Sequence, residues 1–278
     1  MLATLVIFLR EGVEASMIVA ILLAYLNRIG RRDHFRDVFM GVGAALLLAG
    51  GGGVIAYLTI RSYAGSRVQT IFETVTYVLA AAVLTYMTFW MRRHARSLSG
   101  ELRARTDAAM SGRARWGLGL LAFQAVGREG LETVVFTLAI VFSASAAVAL
   151  SGAIIGLAGG LGVAFVIYRL GHRLNLGRFF TVIGVLLMVF AAGLIADAVQ
   201  NMQGLGWLPL LRAPMWHTGR LLSQSSAFGD VLHSFFGYSD APTPLQALMY
   251  VGYLAIVVAA YLVLRPRGAN RAAGAPAQ

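Results

Sequence analysis

The chain has 278 residues, 58% apolar and only 13% charged, and its formal charge of +11 comes from 23 basic residues against 12 acidic ones. Soluble domains are nearer a quarter charged, and a membrane β-barrel would alternate in short segments. Both classes are therefore excluded in favour of an all-α polytopic membrane protein.

A hydrocarbon layer about 30 Å thick takes about 20 helical residues to cross. Taken in chain order, seven apolar runs meet that length: 3–27, 38–60, 70–91, 116–142, 147–168, 178–200 and 245–264. The first begins beside Met1 without a basic leader or an A-x-A site, so it is expected to be a retained span and not a cleaved signal. Residues 92–115 read as a basic loop. Residues 204–244 form a long external loop whose stretch from Trp216 to Phe236 is expected to hold a short interfacial or re-entrant helix. Residues 245–278 supply the last span and a tail. Gly50 to Gly53 in the second run, and Gly152, Gly156 and Gly160 in the fifth, offer small faces for close helix crossing.

Every basic residue is Arg, and 17 of the 23 fall in Arg28–Arg36, Arg92–Arg115, Arg169–Arg178 and Arg265–Arg271, which are alternate loops and the tail. The bias of basic residues toward the cytoplasm predicts an N-terminus outside and a C-terminus inside. The positive charge thus reads as a topology signal beside anionic lipid, with no nucleic-acid partner needed. Trp90 and Trp116 flank the basic loop where interfacial anchors belong.

Two arginines escape this pattern. Arg10 opens REGVE (10–14) and Arg128 opens REGLE (128–132), each inside an apolar run and on helices expected to run in opposite directions. This predicts an inverted repeat, 1–91 against 116–203, with the seventh helix added and a site where the halves meet near mid-membrane. At 1.5 Å per residue, Arg10 lies roughly 10 Å and Arg128 roughly 18 Å along its helix.

Within each pentad the glutamates are three apart and share a helix face. Carboxylates that close repel in a low dielectric unless a cation or an arginine intervenes. One arginine per pentad leaves the ionised pair of motifs at a net minus two, a seat for a multivalent cation, and Gly12 and Gly130 permit close approach. The structural alternative is that these charges fasten helices. With no Cys and no His inside the spans, the ligands are carboxylates, which suit iron, manganese, magnesium or calcium better than copper(I). The methionines read as helix filler. Glu73 and Asp197, near outer helix ends, are candidates for gathering a cation from outside. Asp230 and His233 form a minor candidate pair. The alternatives are a broader divalent-cation permease, an intramembrane metalloenzyme and a structural membrane subunit. A phosphate-binding GxxxxGK[ST] stretch is absent from the sequence.

At its two pentads the chain resembles the iron permease family, oxidase-linked in fungi and with bacterial iron-uptake relatives, whose hallmark is a pair of REGLE motifs in the first and fourth helices. The segments 10–30, FETVTYVLAAAVLTYMTFWM (72–91), AGLIADAVQNMQ (192–203) and PLQALMYVGYL (244–254) also look like the bacterial branch. The resemblance implies import of Fe²⁺ or Fe³⁺ across the cytoplasmic membrane. It implies that Glu11, Glu14, Glu129 and Glu132 coordinate or relay iron, with Arg10 and Arg128 orienting them and Glu73 further along the route. It implies no resident cofactor, iron being the substrate, and periplasmic oxidase-like and metal-delivery partners. Members often carry glycine after the third-helix glutamate where this chain has Thr74. A lead-uptake branch shares the motifs.

Overall fold

The computed structural model describes residues 2–94, 98–111, 116–143, 146–170, 176–224 and 226–263. The arginine-bearing tail and the segment 171–175 lie outside them. The described elements are all α: α1 (Leu2–Arg28), a 3-10 turn (Arg32–His34), α2 (Phe35–Arg61), α3 (Arg67–His94), α4 (Leu98–Ser111), α5 (Gly117–Ser143), α6 (Ala146–Leu170), α7 (Leu176–Gly204), α8 (Ala227–Phe236) and α9 (Pro244–Val263).

Each of the seven expected runs coincides with one long helix, the fourth starting one residue before its helix and the seventh ending at residue 264, outside the described residues. Among the described residues, four stretches are long and apolar enough to cross a membrane on length and composition: Arg32–Arg61, Arg67–Met91, Thr181–Gly204 and Pro244–Val263. Helices α1 and α5 are just as long, at 27 residues each, but each carries the three charges of its pentad. The chain is a multi-span membrane protein, and its outward faces fit that solvent. Leu46, Leu47, Leu48 and Ile55 of α2, like Ile154 and Phe165 of α6, point away from the bundle.

The helices pair across the repeats more than within them. α1 lies along α6 and α5 along α2, while α3 packs on α7 and α1 on α5. Exchanging α1 with α5, α2 with α6 and α3 with α7 leaves these pairings unchanged, the pattern an internal two-fold repeat produces. Small residues make the crossings. A Cβ added to Gly12 would touch Leu157 and Gly160 of α6, and one on Gly130 would lie 2.8 Å from the Ala49 Cβ of α2. At Gly41 it would run into the Gly119 carbonyl of α5. The four-glycine run contributes less than its composition suggests. Gly50, Gly51 and Gly52 would meet nothing within 4 Å, and the helix continues through them unbroken.

Two apolar cores lie on either side of the pentads. One joins Ile7, Leu84, Phe136, Ile140, Leu187 and Phe190 from α1, α3, α5 and α7, and reaches Phe235 of α8. The other joins Ile18, Leu22, Leu26, Val38, Leu118 and Ala122 with Leu102 of α4. The basic segment 92–115 thus includes a helix. Leu102 and Thr106, one turn apart, are buried on the bundle while Arg103 and Arg105 face outward. Charge alone hid that stripe. In 204–244, helix α8 is the short element expected there, capped by the Ser226 hydroxyl accepting from the Gly229 N–H at 3.0 Å.

Candidate metal-binding site

Glu14 is the thirteenth residue of α1 and Glu129 the thirteenth of α5, so each lies about 18 Å into a helix about 40 Å long. Because the two helices pack together, the halves' carboxylates meet at mid-bundle. Glu11, Glu14 and Glu129 are all buried, and one oxygen of each lies within 4.8 Å of the others, close enough to share one ion.

The two arginines do different work. Arg10 is 3% exposed; its Nη1 lies 3.0 Å from Glu11 Oε1 and its Nε donates to Glu14 Oε1 at 3.0 Å. Arg128 has a side chain 41% exposed, donates from Nε to Glu132 Oε1 at 3.0 Å, and reaches Glu129 only at 4.0 Å. Its guanidinium stacks 4.6 Å over the Trp90 ring and donates to Met87 Sδ at 2.9 Å. Trp90 and Met87, read from sequence as an anchor and as filler, therefore hold this arginine.

Two arginines do not satisfy four carboxylates. The Oε2 atoms of Glu11, Glu129 and Glu132 are buried without a hydrogen-bond partner, and Glu11 Oε1 has only its ion-pair contact with Arg10 Nη1. Buried carboxylate oxygens left in this way are costly, and a hard multivalent cation is the partner whose chemistry fits them. Glu132 stands beside the triad, held by Arg128, and acts electrostatically on Glu14.

Two cavities open onto this centre and a third stands apart from it. One of 460 Å³ between α1, α2 and α5 is lined mostly by apolar groups with Glu11, Glu129 and Thr133 on its wall. One of 150 Å³ under α4 is lined by Glu14, Glu129, Arg128, Gln124, Glu101 and Arg105. Glu101 reads from sequence as a loop acid without a role. It is instead beside the centre, because α4 folds back onto α1 and α5.

The third cavity, of 830 Å³, lies at the opposite end and holds Glu73, Asp197, Gln200, Asn201 and His233. Glu73 and Asp197 thus come together with each other and do not join the central triad. His233 was paired in sequence with Asp230, one turn away. The fold turns it toward Asp197 instead, and Asp230 is not in that lining. Only the α8–α7 packing reveals this, and no spacing in the sequence encodes it.

Carboxylates converging from two crossed, pseudo-equivalent helices inside an apolar bundle define a membrane cation-handling protein. The chain matches the Iron permease FTR1 family over residues 1–270 and belongs to it. It is 34% identical over 269 residues to a ferrous iron permease EfeU of Escherichia coli O6:K15:H31 (strain 536 / UPEC), covering 96% of this chain and 97% of that one. It is 35% identical over 256 residues to the ferrous iron permease EfeU of Yersinia pestis, covering 91% and 90%. No solved structure matches it significantly.

Proposed function

We propose that this protein is an iron permease of the bacterial cytoplasmic membrane that carries Fe²⁺ or Fe³⁺ inward between two inverted three-helix halves, 1–91 and 116–203. Seven of its helices span, with the N-terminus outside, α4 and the tail inside, and α8 in the external segment 204–244. Glu11, Glu14 and Glu129 hold the ion, Glu132 assists, and Arg10 and Arg128 compensate the carboxylates' charge and orient them. Glu73 and Asp197 stand at the outer mouth. The observation that carries the proposal is the buried triad with unpartnered oxygens at the junction of the halves. Family membership supports iron as the substrate, and a periplasmic oxidase-like protein and a metal-delivery protein are the partners proposed with it. The external cavity is separated from the centre by the apolar core around Phe136, and the chamber under α4 opens onto the centre.

The test is metal uptake into proteoliposomes holding only this protein, with iron in both oxidation states and manganese and lead as competitors. Glu14→Gln and Glu129→Gln keep the side-chain volume and remove a ligand charge, so iron uptake per folded protein falls at least tenfold. Uptake at the unmodified rate in both variants would return the pentads to the role of helix fasteners. For orientation, a cysteine placed at Ser66 is labelled from the periplasmic side and one at Gly100 only from the cytoplasmic side.

A further inference from the structure

The cavity of 830 Å³ at the α8 end differs in donor chemistry from the central triad. Five of its donors come from three elements: Glu73 from α3, Asp197, Gln200 and Asn201 from α7, and His233 from α8; Arg67 also lines the cavity, with its Nη2 donating to the Leu205 carbonyl at 3.3 Å. The local fold fixes the histidine. Helix α8 ends at Gly237, whose φ of 66° reverses the chain. A Cβ added to Gly193 of α7 would lie 2.9 Å from the Gly237 Cα, so only glycine lets the two backbones approach this closely.

That reversal brings the Tyr238 carbonyl to His233 Nδ1 at 2.9 Å. A carbonyl can only accept, so Nδ1 carries the proton and the lone pair of the neutral ring sits on Nε2. An imidazole whose far nitrogen is tied to a backbone carbonyl is the arrangement that orients metal-ligating histidines. Asp197 opens onto the same cavity, interacts electrostatically with His233, and among the described residues has no side-chain hydrogen bond given to its oxygens. Glu73 is steadied by the Gln69 amide, which donates to its Oε1 at 2.7 Å, and has the Asn201 amide as a second neighbour.

We propose that this cavity is a second cation site, separate from the central triad, which takes a first-row transition-metal dication with His233 Nε2 and the Asp197 carboxylate as direct ligands. Glu73 acts through retained water. Among the described residues, only the central carboxylates are close enough as a trio to share one ion directly. At the mouth the donors stand wider apart, as suits an ion that keeps part of its hydration shell. The imidazole supplies what carboxylates alone do not, a preference for transition metals over calcium and magnesium. The cavity therefore sorts ions before the oxygen-only centre meets them. That sorting role rests on the permease reading, whereas the binding does not.

The experiment uses the full-length, tag-free protein in nanodiscs with Mn²⁺ as the probe. Electron spin echo modulation from a directly bound imidazole nitrogen reports only a histidine-containing site, and the central triad has none. The expected result is nitrogen modulation in the unmodified protein, its loss in His233→Gln, and Mn²⁺ affinity for this site about tenfold weaker in Asp197→Asn. Zn²⁺ displaces the signal, and a large excess of Ca²⁺ does not. Absence of modulation in the unmodified protein, its persistence in His233→Gln, unchanged affinity in Asp197→Asn, or displacement by Ca²⁺ as readily as by Zn²⁺ would each overturn the proposal. Asp197→Asn retains the imidazole and its carbonyl tie, so it tests the site even if His233→Gln fails to fold. Iron uptake indifferent to Glu14→Gln would defeat the permease reading and leave this binding result standing.

Discussion

Arg10 and Arg128 occupy equivalent places in the two pentads, yet the structure makes their replacement unequal. Arg10 is 3% exposed and lies 3.0 Å from each of two buried carboxylates. At an effective dielectric of about 20, each contact is worth about 5 kcal/mol of Coulomb attraction, much of it offset by desolvation. Arg10→Met removes the cation and strands Glu11 and Glu14. Breaking a buried pair this way costs about 3–5 kcal/mol. Arg128→Met loses one contact at 3.0 Å and one at 4.0 Å from a side chain 41% exposed. Such a partly screened pair contributes about 1 kcal/mol, and its stacking on Trp90 about as much again. The two variants should differ by about 1–3 kcal/mol in reversible unfolding by SDS in mixed micelles, with Arg10→Met the weaker protein. Equal losses would refute the assignment of Arg10 as the buried keystone of the centre.

Two further outcomes follow from packing and from the chamber under α4. Glu101→Gln should slow iron uptake severalfold in proteoliposomes while leaving unfolding within about 0.5 kcal/mol of the unmodified protein, because Glu101 lines the chamber and its Arg105 partner is exposed. An unchanged rate would remove Glu101 from the path. Gly41→Val should prevent stable assembly, since its side chain would meet the backbone of α5, whereas Gly51→Val, which faces open space, should be well folded by size-exclusion profile and melting curve.

The sequence made the centre legible because charge inside an apolar helix is rare enough to be a signal. Glu11, Glu14 and Glu129 stood out by that rule alone, and the repeated pentad also pointed to an internal pairing. What it did not encode was which charges would be satisfied. Arg10 and Arg128 have near-identical local sequences, and only tertiary packing makes one buried and the other half-open. Glu101 escaped, and His233 was matched to Asp230 and not to Asp197, for a related reason. Each sits in an ordinary polar stretch, and each becomes significant only where a short helix folds back onto the bundle. Glycine composition misled in a third way. The run Gly50 to Gly53 promised a crossing, yet only Gly53 of the four meets α5, at Val134, while Gly41 and Ala49, less conspicuous, make the closest approaches.

The position of the cores suggests how the two ends take turns. From the chamber under α4, the carboxylates of Glu14 and Glu129 are reached without crossing an apolar layer. Toward the α8 end, Leu84, Phe136, Ile140, Leu187 and Phe190 pack between the centre and the outer cavity. Phe136, fully buried one turn beyond Glu132, is the largest of the closed-off side chains. In a permease built from two inverted halves, opening the outer side requires this layer to separate while its counterpart around Leu22 and Leu118 closes. Phe136→Ala removes a side chain whose burial is worth about 3–5 kcal/mol, and removes it from the closed outer layer alone. The outer-open form therefore gains population, and a cysteine at Ala139, itself fully buried within this layer, should be modified faster by a membrane-impermeant reagent added from outside. Leu22→Ala should act in the opposite sense and slow that labelling. If both substitutions leave the labelling rate unchanged while lowering stability equally, the apolar layer is static packing and the alternation must lie elsewhere in the bundle.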